Sequence, residues 1–147
     1  MVRLKFPHSE SVPTDIGADH PELMFKELCV VSIVDSSRHL KSGAIYSYAH
    51  DLLTSFMSKQ GFEVTKKYLL ETAWSAVFTH GQGGRTIGIN SEMDALPSIG
   101  HACGHNLIAI AGVAVAVGIK AAMEKWDIPG KIILLGTPGD IVCSYSV

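Results

Sequence analysis

Five consecutive residues, His101-Ala102-Cys103-Gly104-His105, hold three side chains of the kinds that bind divalent metals. Thiolate and imidazole are good ligands for zinc and similar ions. Cys103 and His105 are two apart, so on a regular helix they would point in different directions. Gly100 and Gly104 favour a turn instead, which can aim both side chains at one point. The positive end of a helix beginning just after the turn would favour the thiolate. Each residue alone has a plainer reading. A cysteine beside an apolar helix is commonly a small buried residue, and a single histidine is commonly a hydrogen-bonded structural one. Two protein ligands also fall short of a catalytic zinc site, which takes about three and an open position.

Three carboxylates lie where they could serve such a site. Glu92 and Asp94 precede the cluster. A carboxylate there either binds a metal or orients a ligating histidine. The plain alternatives are a solvated Glu92 and an Asp94 that caps the turn before Pro97; a supporting role suits Asp94, and Glu92 stays open. Asp140, in Pro138-Gly139-Asp140, could act as a general base toward water. Taken alone, that tripeptide is an ordinary turn.

The elements that must position these residues follow from pattern. Residues 1–18 are polar, carry Pro7, Pro13 and Gly17, and read as a flexible arm. Asp19-His20-Pro21-Glu22 is a helix start. Cys29 to Ile33 is strand-like. From Tyr46 an apolar stripe at helical spacing comprises Tyr48, Ala49, Leu52, Leu53, Phe56 and Met57, with Gly61 suited to the position just past the helix end. Phe62 to Leu70, Ala73 to Thr79 and Thr86 to Asn90 read as strands, the last two joined by a glycine-rich hairpin turn over His80 to Arg85. That turn leads into a strand, which argues against a phosphate loop. A buried helix is expected from about Asn106 to Trp126, then a short apolar strand from Lys131 to Leu135. A helix crossing between apolar strands indicates an α/β fold. In such folds ligands sit beyond the C-terminal strand ends, here the loops after Asn90 and after Leu135.

Bulk properties bound the possibilities. The chain has 147 residues, 47% hydrophobic and 18% charged, which fits one globular core. A formal charge of −2 gives no electrostatic case for nucleic acid or an anionic membrane. Cys29, Cys103 and Cys143 do not form a disulfide framework, and Met1 to Pro7 lacks the apolar core of a signal peptide. A reducing, cytoplasmic setting is therefore expected. The longest apolar run, Leu107 to Ile119, is shorter than the roughly 20 residues a membrane span needs.

Three blocks, Asn90-Ser91-Glu92-Met93-Asp94-Ala95-Leu96-Pro97, Gly100-His101-Ala102-Cys103-Gly104-His105-Asn106 and Leu134-Leu135-Gly136-Thr137-Pro138, resemble the M20 metallopeptidase family. They are closest to the amidohydrolase branch that holds M20 domain-containing dipeptidases. His20-Pro21-Glu22-Leu23 and Tyr48-Ala49-His50-Asp51-Leu52-Leu53 match that branch's opening helices, so the likeness covers most of Asp19 to Pro138.

The resemblance implies a three-layer α/β/α sandwich of the zinc-peptidase type. It also implies a site with two divalent ions, zinc or manganese, that hydrolyses amide bonds in dipeptides or N-acyl amino acids. It makes Cys103 and His105 metal ligands, and Asp94 the acidic residue of the first motif. Residues 19–138 are then the N-terminal part of a catalytic domain, with 28–47 an atypical insertion and 139–147 a divergent tail. Where the family has Pro-Ala-Glu-Glu, this chain has Pro138-Gly139-Asp140-Ile141. Asp140 takes the base position on a shorter arm, and Ile141 takes a ligand position that it cannot fill. Two downstream histidine ligands and the lid domain of the family have no counterpart here, so lid-mediated dimerisation is not expected. A truncated, inactive fragment is the alternative reading.

Overall fold

A computed structural model describes residues 42–94 and 102–138, the side chains of 42–46 and 48 excepted. The expected arm, the helix start at Asp19, the strand-like run from Cys29 and the tail 139–147 lie outside those residues.

The first element is helix α1, Ser42–Lys59. It begins ahead of the expected Tyr46, so residues 42–47 of the segment read as an insertion already belong to it. Its stripe packs as the spacing requires: Leu53, Phe56 and Met57 are buried, with Ala49 and Leu52 against them. Gly61 ends it at φ 79°. There Gly61 N–H donates to Ser58 O at 3.0 Å and Phe62 N–H to Met57 O at 3.1 Å. This paired closure needs a left-handed residue, which glycine adopts without a Cβ penalty.

Strand β1, Glu63–Lys66, is much shorter than the expected Phe62 to Leu70. The chain leaves the sheet because Lys67 and Leu69 take φ of 55° and 67°, which no strand accommodates. Tyr68 N–H to Ala73 O at 2.9 Å closes the turn. Leu69 is 87% exposed there, so apolar character misread a turn as strand. Strands β2, Trp74–His80, and β3, Arg85–Glu92, follow, then helix α2, His105–Trp126, and strand β4, Gly130–Thr137.

The sheet order is β1-β2-β4-β3. β4 runs antiparallel to β2 and parallel to β3. The expected β2–β3 hairpin is therefore not formed, because β4 lies between the two strands and takes the hydrogen bonds of both. Local turn signals could not reveal this insertion, since the inserted strand arrives some 40 residues later. The glycines of the connection do answer to it. A Cβ on Gly84 would overlap the Pro129 carbonyl, and one on Gly81 would come within 3.0 Å of Pro129 Cβ, so the loop passes directly over the start of β4.

Both described helices pack on one face of this mixed sheet. Leu53, Phe56 and Met57 of α1 and Ala109, Val113, Ala116 and Met123 of α2 share one core with Trp74, Ala76, Ile132 and Leu134. Gly112 lets α2 lie close to β3, for its Cβ would sit 2.9 Å from Asn90 O. Ser91 Oγ donates to Ala109 O at 2.9 Å across the same contact. On the reverse face Val77, Ile133 and Leu135 are half-buried. At 22 residues α2 is long and apolar enough, by length and composition alone, to cross a membrane. Here its inner stripe packs on the sheet, while Leu107, Ile108 and Val115 remain exposed on its outer side.

Two substitutions in one turn test this packing. Gly83 and Gly84 both have positive φ, but a Cβ on Gly83 meets nothing within 4 Å. Gly83→Ala should cost about 1–2 kcal/mol, the left-handed backbone term alone, and Gly84→Ala distinctly more, as read by urea denaturation. Equal losses would contradict the inserted β4. The exposed apolar stripe of α2 should also drive the purified chain to associate; a sharp monomer peak in analytical ultracentrifugation at high micromolar concentration would argue otherwise.

Candidate active site

The parallel pair β3 and β4 ends on one side of the sheet, with the start of α2 beside it. Backbone register sets Glu92 opposite Thr137, and Met93 N–H donates to Thr137 O at 3.0 Å just beyond the last pair. The residues with chemistry gather at this corner.

Asp94 is 1% exposed. Its Oδ1 stands 2.6 Å from His105 Nδ1, on the first residue of α2. An ionised carboxylate only accepts, so the imidazole donates its Nδ1–H. Such a short, charge-assisted bond contributes about 1.5–3 kcal/mol. It leaves Nε2 to face Glu92, whose Oε2 is 3.7 Å away. Glu92 Oε1 in turn accepts from Asn90 Nδ2 at 3.1 Å, and Asn90 Oδ1 accepts from Thr137 Oγ1 at 3.0 Å. Five side chains, from β3, β4, the start of α2 and the loop after β3, thus form one line: Thr137, Asn90, Glu92, His105, Asp94.

Local sequence explains the approach of α2. Ala102 and Cys103 form a turn, and Gly104 takes φ 79° and ψ 15° at the helix entry. Its carbonyl accepts from Leu107 N–H at 2.9 Å and Ile108 N–H at 3.2 Å. The glycine turn read from the sequence is therefore present, and the helix begins at His105, one residue earlier than expected. Cys103 is an exposed free thiol in that turn. His101 and Asp140 lie outside the described residues. Asn90 and Thr137 had no role in the sequence reading; the signal that could have found them is period-two spacing, which puts Asn90 and Glu92 on one face of β3.

A cavity of about 350 Å³ adjoins this line. Tyr68, Leu70, Trp74, Leu135 and Pro138 make its walls mainly apolar, with Asn90 and Thr137 as polar members. It lies where β3 and β4 end, the expected side for a ligand in an α/β fold.

The donor chemistry fits a divalent metal in part. His105 has the form of a ligating imidazole, one nitrogen held by a carboxylate and the other open. Among the described residues, however, no group of three or more His, Cys, Asp or Glu side chains converges as a complete metal-binding set.

No family model matches the chain. Three curated proteins do. Human Xaa-Arg dipeptidase is 37% identical over 108 residues, 63% of this chain and 25% of that protein. The mouse Xaa-Arg dipeptidase is 40% identical over 103 residues, 63% of this chain and 24% of that protein. A p-aminobenzoyl-glutamate hydrolase component of Escherichia coli is 29% identical over 140 residues, 83% of this chain and 25% of that protein. The chain therefore spans about a quarter of the length of these relatives. Xaa-Arg dipeptidase is M20 domain-containing protein 2, so the family likeness read from the motifs stands, as does its dipeptidase branch.

The Asp94–His105 bond has a measurable consequence for stability. His105→Ala strips the imidazole from a buried carboxylate and should cost about 3–5 kcal/mol. Asp94→Asn keeps an acceptor oxygen for the Nδ1–H and should cost less. Chemical denaturation of the two variants should rank them in that order, and equal stability to wild type would mean the bond does not form.

Proposed function

We propose that this chain contributes part of the active site of an M20-type metal-dependent hydrolase, acting on amide bonds in small substrates such as dipeptides or N-acyl amino acids. The observation that carries the reading is the 2.6 Å bond between His105 Nδ1 and Asp94. It selects the tautomer whose Nε2 lone pair is free and holds the ring still, as ligating histidines require. In this reading His105 and Cys103 hold zinc or manganese, with two ions in the complete family site. When bound, such an ion polarises the substrate carbonyl and makes water nucleophilic at neutral pH.

The chain's own residues do the rest of the work assigned here. Asp94 orients His105 and is a positioning residue. Asp140 is the proposed base that accepts a proton from the attacking water. The apolar walls beside Asn90 and Thr137 support a substrate placed at the strand ends. The half-buried reverse face of the sheet supports a three-layer sandwich, in which further helices cover Val77, Ile133 and Leu135. The exposed free thiol Cys103 suits a reducing, cytoplasmic compartment.

A second reading, an inactive fragment or pseudoenzyme of the same family, is favoured by the incomplete donor set among the described residues and by Ile141 at a ligand position. One assay separates the two. The 147-residue chain, supplied with zinc or manganese, should hydrolyse Xaa-Arg dipeptides at or near background. A longer protein carrying this sequence together with the remaining site should hydrolyse them, and His105→Ala should lower its kcat/KM at least a hundredfold. Turnover by the short chain at the rate of the longer one would remove the fragment reading. Activity of the longer protein untouched by His105→Ala would remove the metal-site reading.

A further inference from the structure

Glu92 has no assigned part in the chemistry above, yet its carboxylate is the group that His105 faces. Its side chain is 23% exposed, and its orientation is set from behind. Thr137 Oγ1 donates to Asn90 Oδ1 at 3.0 Å, which fixes the amide so that Asn90 Nδ2 donates to Glu92 Oε1 at 3.1 Å. The second oxygen, Oε2, is turned toward His105 Nε2 at 3.7 Å. That separation is too long for a hydrogen bond, which spans about 2.7–3.2 Å. With the Nδ1–H given to Asp94, a neutral imidazole and the Glu92 carboxylate face each other with lone pairs only. Two lone pairs held toward each other by separate hydrogen-bond networks are repulsive unless a positive charge is shared between them.

The spacing matches that requirement. Metal–ligand bonds of about 2.1 Å place two donors about 3.4 Å apart at a tetrahedral angle and about 3.6 Å apart at a trigonal one. We propose that Glu92 is a metal ligand of this site, its Oε2 binding the same divalent ion as His105 Nε2, with Asn90 and Thr137 holding the carboxylate in place. The proposal rests on the metal-hydrolase reading and adds to it. Glu92 and His105 are then two donors brought to bonding distance of one ion, and the further ligands that a catalytic site takes come from outside this pair. The competing arrangement is an imidazolium held between two carboxylates, with no ion bound.

Zinc titration of the 147-residue chain by isothermal calorimetry tests the assignment. Wild type is compared with Glu92→Gln, Glu92→Asp, His105→Ala and Cys103→Ser, with circular dichroism melts to verify that each variant is folded. Glu92→Gln keeps shape and hydrogen-bonding capacity but loses the anionic oxygen, and should weaken zinc affinity at least tenfold. Glu92→Asp keeps the charge on a shorter arm and should fall between wild type and Gln. If the Gln variant does not fold, the Asp variant decides: affinity equal to wild type overturns the assignment, and a weakened one supports it. Binding unchanged in Glu92→Gln but lost in His105→Ala overturns the role of Glu92 and leaves the metal site standing. No zinc binding by wild type, or undiminished binding in His105→Ala, overturns both and favours the imidazolium arrangement.

Discussion

The buried bond between Asp94 and His105 is the constraint on which this corner of the molecule depends. Asp94 sits just past the last residue of β3, and His105 is the first residue of α2. A carboxylate buried this deeply requires compensation for its lost hydration, and the imidazole provides it. The bond therefore joins a strand end to a helix start across the intervening loop, and it defines which imidazole nitrogen remains for chemistry. Stability and site geometry rest on the same pair of atoms.

Small residues let the rest of the fold assemble around that pair. Gly112 permits the close contact of α2 with β3, and Gly136 lies beneath the Trp74 indole, where any Cβ would collide with the ring. Trp74 is fully buried in the centre of the core by this means. Among the described residues its indole N–H has no hydrogen-bond partner; an unmet donor of this kind costs about 1–3 kcal/mol, which apolar burial offsets. Gly81 and Gly84 allow the β2–β3 connection to pass over Pro129 and Gly130. Each glycine is thus required where two backbones or a ring and a backbone meet.

The sheet arrangement gives the site its shape. Because β3 and β4 are parallel neighbours joined through α2, their C-terminal ends and the positive end of the helix come together. Asn90 and Glu92 on one strand and Thr137 on the next then meet as a hydrogen-bonded line. Had β2 and β3 formed the simple hairpin, Thr137 would not stand beside Asn90 and the cavity would lose one wall. The inserted strand is what brings Thr137 beside Asn90 and makes the corner polar.

The amino-acid sequence alone determined the kinds of element and most of the candidate residues. Apolar periodicity marked α1 and a long apolar run marked α2, Gly61 and Gly104 marked the helix end and entry, and the spacing of Asp94, Cys103 and His105 marked the metal-like cluster. These are local properties, written within a few residues of one another. Tertiary structure decided the rest. The place of β4 between β2 and β3, the left-handed turn that shortens β1, and the alignment of Asn90, Glu92 and Thr137 all depend on contacts between distant segments. Pairing partners in a sheet are chosen by the competition of every strand for hydrogen bonds and core area, and no short window of sequence contains that competition.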